Sequence, residues 1–488
     1  MIKSQNISEI RVLFINPPRF NNLPVIREDR CELINRYLIN PPYSLIQLAA
    51  IVKEKGIKAD VIDANCQNLT YKSVSEKINE FDPAIIIFRF TPATIEFDMR
   101  TADVAREINS KIITAGICWS LKSFADKIIR EYSNLDVYIT GGYGTYEESC
   151  LSLIESVREN KSFNLVPGIC YMENDNIFST SPAKQDFNSD PPIPSYDLLP
   201  HLKNYYISPK HSRHCPFTIM YTSSGCPYHC NYCTTRASVY QQRSIDNIVR
   251  EILYLWEKYR IRCIFFMDEI FTYYKKYTID LCNAISDLNI KLVWYTSTRV
   301  DKVDSELLYV MKKAGCKCIS YGIESGNQEI LDNIQKGITI GQAVEAVKLT
   351  KKAGMDVHLS FIIGLPGETR DTVSDTIRFV KKAKPVMAQF NTAVPFPDTP
   401  LYDIAVQNGW MKEMEDYKIL CHQKAPMRNK DMTREEILRA RKMAYKKLYF
   451  NPSWIFSQFK NLKEFSLILS YYIKCLKMFI YHKMEYSH

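Results

Sequence analysis

The sequence predicts an α/β fold: a doubly wound, Rossmann-like parallel sheet, then a second series of βα units, then a helical C-terminal region. Three observations predict it. Residues 10 to about 157 alternate short apolar runs with amphipathic stretches, as parallel strands covered on both faces by helices do. The same alternation resumes near residue 216 and gives six further units. Between 401 and 488 the strand pattern stops. A chain of 488 residues accommodates two or three domains, and 46% hydrophobic with 24% charged residues is an ordinary globular composition. The net charge of +9 permits an acidic or phosphate-bearing partner without demanding one. Fifteen cysteines behind a polar start, Met1 to Asn6, point to a reducing, cytoplasmic setting.

In the first unit, 1–157, strands are expected at Arg11–Pro18, Ala59–Asp63, Ala84–Phe90, Lys111–Gly116 and Val137–Gly141. Ser44–Lys53 has helical spacing, with Gly56 as its stop. Residues 158–215 form a link: a hairpin of Gly168–Met172 and Asn176–Ser179, then the proline-stiffened connector Asp190–Pro200. In 216–400 the strands are Pro216–Tyr221, Cys263–Met267, Leu292–Arg299, Cys318–Gly326, Val357–Thr369 and Ala388–Ala393.

The first of these strands delivers the chain's most informative stretch, Thr222-Ser-Ser-Gly-Cys226-Pro-Tyr-His-Cys230-Asn-Tyr-Cys233. Three thiolates at C-x3-C-x2-C suit three corners of an iron–sulfur cluster, whereas a fully protein-ligated [4Fe–4S] cluster takes four. One iron then stays open to a small molecule. Zinc is the rival, and it needs a fourth ligand; His229 would have to fold back between Cys226 and Cys230.

With Tyr232 just before the last cysteine, this stretch resembles the signature of the radical S-adenosylmethionine (radical SAM) superfamily. The resemblance implies a partial (βα)6 barrel and a [4Fe–4S] cluster on Cys226, Cys230 and Cys233. The open iron would be chelated by SAM, and reductive cleavage of SAM would give a 5′-deoxyadenosyl radical. It further implies SAM-binding residues at the strand ends. Asp268 and Glu269 follow the second strand; the alternative is a pair of solvated loop carboxylates. Arg299 ends the third and would meet the SAM carboxylate or form a salt bridge. Gly322, Glu324 and Ser325 belong to the fourth-strand motif, where Glu324 would accept from ribose hydroxyls. Ile363 and Gly364 belong to the fifth-strand motif that packs on adenine, and Glu368 would cap the next helix.

The first unit resembles the cobalamin-binding domain that precedes many radical SAM barrels. The matching pieces are Asn16-Pro-Pro18, Pro41–Ala50, Val61–Asn65 and Thr140–Glu148. Two features depart from it. D-x-H-x-x-G is absent and residues 1–200 contain no histidine, so cobalamin would bind without a His ligand from this region. The loop Ala115–Trp119 is less glycine-rich than usual, which leaves a ligand-free descendant of the domain as the alternative.

Val394–Tyr402 resembles the family's Pro-x-Pro-Gly-Thr segment, with Asp398 in place of Gly, and is expected at the active-site mouth. Thr433–Glu436 reads as a capping box opening a basic helix. The tail Phe465–Tyr481 is apolar with embedded lysines, short of a spanning helix; it either docks on the barrel or lies on a membrane surface. The resemblance as a whole implies a cobalamin-dependent radical SAM enzyme that methylates an unactivated carbon of a small or lipid-like substrate. A flavodoxin- or ferredoxin-type donor would supply electrons, and no nucleic acid is expected. The alternatives are a non-methylating radical enzyme, a tRNA methylthiotransferase and a non-catalytic cofactor carrier.

Overall fold

Val12, Leu13, Phe14 and Ile15 have no exposed surface, and a strand hidden on both faces belongs inside a sheet. In the computed structural model, which describes residues 10–28, 33–34, 38–142, 144–184, 190–206, 216–411, 417–421 and 424–458, Arg11–Asn16 lies there. It pairs parallel with Lys58–Asp63 on one side and Ile85–Arg89 on the other. Ile113–Ile117 and Val137–Ile139 extend the parallel run, giving the 2-1-3-4-5 order of a doubly wound sheet.

The predicted hairpin forms as Ile169–Glu173 and Asn176–Ser179, but it is not a free connector. Ile169–Glu173 pairs antiparallel with Val137–Ile139, so the sheet has seven strands and runs to Ser179, past the division at 157. Ile169, Cys170 and Tyr171 are buried apolar side chains, and the sheet edge gives them cover. The connector is also docked. Ser195 N donates to Ile46 O (3.0 Å) and Gln47 Nε2 donates to Pro192 O (3.0 Å), both on the helix Tyr43–Glu54.

The second sheet has six strands in sequence order: Phe217–Met220, Cys263–Phe266, Val293–Thr298, Cys316–Glu324, Asp356–Ile363 and Met387–Thr392. All neighbours are parallel, and among the described residues the first and sixth do not pair. The barrel is therefore open. In the fifth and sixth strands, buried Val357, Leu359, Phe361, Ala388 and Phe390 alternate with half-buried His358, Ser360, Gln389 and Asn391. One face packs on helices and the other carries these partly exposed polar side chains.

An open barrel exposes an edge strand, and unpaired edge groups need partners. Here the basic helix supplies them. Arg434–Tyr449, opened by the predicted Thr433/Glu436 capping box, lies against the sixth strand. Tyr445 Oη accepts from Phe390 N (3.0 Å), Tyr449 Oη exchanges hydrogen bonds with Ala388 N and O (3.2 and 3.0 Å), and Arg441 Nε donates to Phe390 O (2.8 Å). No described helix is long and apolar enough to cross a membrane. The tail Phe465–Tyr481 lies outside the described residues.

Candidate functional site

The three cysteines sit on a hairpin whose foot is the two-residue pairing of Ser223–Ser224 with Gln241–Gln242, just past the first barrel strand. Gly225 is required at the foot. Its φ is +85°, and a Cβ there would lie 2.0 Å from Val239 O. Asp268, at the end of the second strand, is fully buried and nails the foot down. Its Oδ1 accepts from Thr222 N (2.9 Å), Thr222 Oγ1 (2.9 Å), Ser223 Oγ (2.6 Å) and Ser223 N. Arg243 N donates to Thr222 O (2.9 Å). Within the loop, Cys226 N donates to Ser238 Oγ (2.8 Å) and Ser238 N to Cys226 O (3.0 Å). Cys230 is buried, Cys226 and Cys233 are half-buried, and His229 is exposed.

A second segment closes on this hairpin. Asn231 N donates to Ile334 O (3.1 Å), Asn231 Nδ2 to Asn333 O (2.9 Å), and Leu401 N to Asn231 O (3.0 Å). Past Asn333 comes Lys336, whose Nζ donates to Glu324 Oε1 (2.9 Å) and Tyr232 Oη (3.2 Å). Glu324 is buried and has φ +72°, a left-handed backbone at the carboxyl end of the fourth strand. Arg299 stacks on Tyr228, 3.7 Å from the ring centre. Its Nε donates to Asp301 (2.9 Å) and its Nη2 to Lys336 O (2.9 Å), so it braces the lysine turn. Burial pushes the Cys230 thiol up, and Lys336 and then Arg299 pull it down; burial likewise pushes Cys226 up to about 11.

The sequence-predicted residues thus fall into two groups. Cys226, Cys230, Cys233, Glu324, Gly322 and Arg299 come together around the hairpin. Asp268 is turned inward to the hairpin foot, with its Oδ2 meeting no described partner, and Glu269 beside it is half-buried. Ser325 is buried, facing Thr376 Oγ1 at 3.4 Å. Ile363 is buried at the end of the fifth strand, and Gly364 (φ +95°) has Ile437 where a Cβ would be, 2.8 Å away. Glu368 does not cap the following helix. Thr369 does so, in a capping box with Thr372. Glu368 instead accepts from Gly364 N, its Oε1 has no described partner, and burial pushes its carboxyl up to about 8. Asp398 has φ +64°, a backbone that glycine adopts freely, and its carboxylate reaches Ser123 Oγ of the N-terminal sheet region.

Sequence reasoning missed Lys336, Asn231 and Arg243. Gly337 was the available signal for Lys336, marking a tight turn next to a lone lysine. Arg243 ties the two sheets together. Its guanidinium donates to Tyr43 Oη (3.2 Å), Asn247 Oδ1 (2.8 Å), Tyr221 O (3.0 Å) and Glu251 Oε2 (2.7 Å), while Tyr196 Oη donates to Glu251 Oε1 (2.7 Å). All five side chains are buried.

The radical SAM superfamily model matches residues 220–380, from the hairpin through the fifth-strand motif. An uncharacterised methyltransferase of Pyrococcus horikoshii, PH0819, is 32% identical over 417 residues, covering 84% of this chain and 88% of that one. The chain belongs to the radical SAM superfamily. This radical SAM enzyme is also 28% identical over 485 residues to the anaerobic magnesium-protoporphyrin IX monomethyl ester cyclase of Rubrivivax gelatinosus, covering 96% of this chain and 82% of that one. In fold it resembles the cobalamin-dependent SAM radical enzyme OxsB, solved with aqua-cobalamin and SAM bound, at TM-score 0.72 and 16% identity over 97% of this chain and 73% of that one.

The residues fit the groups that a radical SAM enzyme uses. Around the hairpin, the buried atoms Arg236 Nε, Gln241 Oε1, Gln242 Nε2 and Asp268 Oδ2 have no described partner, so polar capacity is left over beside the cysteines. Lys336 and Arg299 bring two cations to the hairpin, each paired with a carboxylate, Glu324 and Asp301. Among the described residues no three Cys, His, Asp or Glu side chains converge on a point suited to one metal ion. Three thiols serving separate corners of a cluster have no need to. In the first sheet, the crevice where strand order reverses is filled by Arg27, which donates to Asp98 (2.7 and 3.0 Å), Asn16 Oδ1 (3.3 Å) and the carbonyls of Pro17 and Pro18 (both 2.9 Å). Residues 1–200 contain no histidine, so a cobalamin in this region would have no imidazole ligand from it.

Proposed function

We propose that this radical SAM enzyme is a cobalamin-dependent methyltransferase acting on an unactivated carbon of a small molecule. The three-cysteine hairpin carries the reading: it stands at the carboxyl end of the first barrel strand, where active loops of βα barrels gather, and it is tied through Arg243 to a doubly wound domain. Methyl transfer is supported by the similarity to PH0819, and cobalamin by the fold shared with OxsB. When bound, the cluster, SAM and cobalamin supply the radical and the methyl group.

The chain's own residues bind and orient. Cys226, Cys230 and Cys233 would hold the cluster, one thiolate to each of three irons. Glu324, held by Lys336, would accept from the SAM ribose hydroxyls. Gly322 keeps that approach open, since a Cβ there would lie 2.6 Å from Glu324 Oε1. Ile363 and Gly364 would form the wall on which the adenine packs. Asp268 fixes the hairpin, Glu269 would meet the SAM amino group, Ser325 holds the fourth-strand turn, and Arg299 holds the lysine turn. A flavodoxin- or ferredoxin-type donor supplies the electron.

The test is anaerobic purification, cluster reconstitution with hydroxocobalamin, and assay of iron, sulfide and cobalt, followed by reduction in the presence of SAM. Four irons and one cobalt per chain, with 5′-deoxyadenosine and S-adenosylhomocysteine both released, is the expected result. Zinc in place of iron refutes it. A second reading, cyclisation or oxidation without methylation, is favoured by the 28% identity to the cyclase across nearly the whole chain. Product mass separates the two, because only methylation adds a methyl group.

A further inference from the structure

Lys336 keeps its ammonium inside the protein, with a side chain 8% exposed between the exposed Gln335 and Gly337. Both neighbours have left-handed backbones, φ +54° and +65°, and that turn aims the middle residue inward. The turn is pinned from three sides. Lys336 N donates to Leu331 O (3.0 Å), Arg299 Nη2 donates to Lys336 O (2.9 Å), and Asn231 of the cysteine loop clasps the backbone of Asn333 and Ile334. Gly322 makes the room, since a Cβ there would meet Lys336 Nζ at 3.4 Å as well as Glu324 Oε1 at 2.6 Å.

Burying an ammonium costs several kcal/mol, and one carboxylate offsets that only with good geometry. Glu324 at 2.9 Å supplies such geometry, yet Lys336 also has a third neighbour. That neighbour is Tyr232, between Cys230 and Cys233 in the cysteine loop, whose Oη lies 3.2 Å from Lys336 Nζ. A [4Fe–4S] cluster on three thiolates is anionic, and reduction adds one more negative charge without adding a proton. A fixed cation beside that loop makes that extra charge easier to accept, all the more so away from water.

We propose that Lys336 is the resident counter-cation of the cluster pocket, stabilising the reduced cluster and raising its reduction potential, with Glu324 opposing it. The inference rests on the cluster reading above. The electron comes from a one-electron donor of the flavodoxin or ferredoxin class, which is oxidised as the cluster is reduced.

The experiment is a potentiometric titration of the reconstituted full-length chain, without SAM or substrate, followed by electron paramagnetic resonance. In K336M the reduced-to-oxidised ratio at a fixed potential is expected to fall at least tenfold, about 59 mV for one electron. K336R, which keeps the charge, stays at the wild-type potential. E324Q shifts it the opposite way, which a merely structural role would not do. If K336M does not fold, E324Q/K336M is compared with E324Q, since it leaves no bare buried carboxylate; the same tenfold fall is expected. An unmoved potential overturns the assignment of Lys336 while the cluster stands. Wild-type protein that takes up no iron overturns the cluster reading and this inference with it.

Discussion

Replacing Asp268 with alanine should detach the cysteine hairpin from the barrel. One carboxylate oxygen of Asp268 serves four donors, the N–H and hydroxyl groups of Thr222 and Ser223. All three residues are at most 1% exposed, so water cannot take over that role. The two hydroxyls can turn toward other acceptors, but the two backbone N–H groups cannot. Leaving them unmet costs about 1–3 kcal/mol each, or roughly 2–6 kcal/mol together. D268N keeps an oxygen for the same donors and should lose much less. Urea unfolding of the reconstituted protein gives the stability, and iron per chain reports the hairpin. D268A is expected to lose stability in that range and most of its iron, while D268N keeps its iron. If D268A matches wild type in both, the hairpin does not depend on this anchor and the reasoning fails.

Other expectations follow from the same geometry. G225A places a Cβ 2.0 Å from a backbone carbonyl at φ +85°, so it should yield folded protein with little bound iron, checked by circular dichroism alongside iron assay. Glu368 is held at about 8 in the folded chain against about 4.3 in an unfolded one. The folded state therefore binds the proton more tightly, and the stabilisation present below about pH 4.3 is lost as pH rises through 8, at up to about 1.4 kcal/mol per pH unit. E368Q should flatten that fall, measured as melting temperature from pH 5 to 9. His358, lowered to about 4 by burial, acts in the other direction. Its contribution is complete above about pH 6.5 and is lost as pH falls through 4, so H358Q should remove part of the acid sensitivity in a melting series from pH 4 to 7. E251A strips the buried Arg243 of its carboxylate and should cost about 3–5 kcal/mol in urea unfolding, whereas Y43F, which loses one hydrogen bond, should cost about 1 kcal/mol.

Much of this was legible in the sequence because the signals are local. The strands of both sheets are short apolar runs between amphipathic helices, and the cysteine triplet is contiguous. The capping box at Thr433 needs only four residues to be read, and it formed as expected. What was not legible depends on contacts across long separations. The hairpin at 169–179 reads as a connector because nothing local says that its apolar face meets Val137–Ile139. Glu368 lies one residue before a helix, where a capping role is the local reading; Thr369 took that place and left Glu368 in the bend after the fifth strand. Lys336 looks like a surface lysine between polar neighbours until the backbone on both sides turns left-handed. Asp268 and Glu269 read alike as adjacent acids, yet strand geometry sends only the first into the interior.

The joint through Arg243 has a consequence for how the two halves hold together. Tyr43 belongs to one sheet's helix, Tyr196 to the connector, and Arg243 and Glu251 to the barrel side, and none of the four reaches solvent. Such a joint behaves as a weld rather than a hinge. Both halves are held at that one point by side-chain hydrogen bonds that water does not reach, so loosening either half means breaking buried polar contacts.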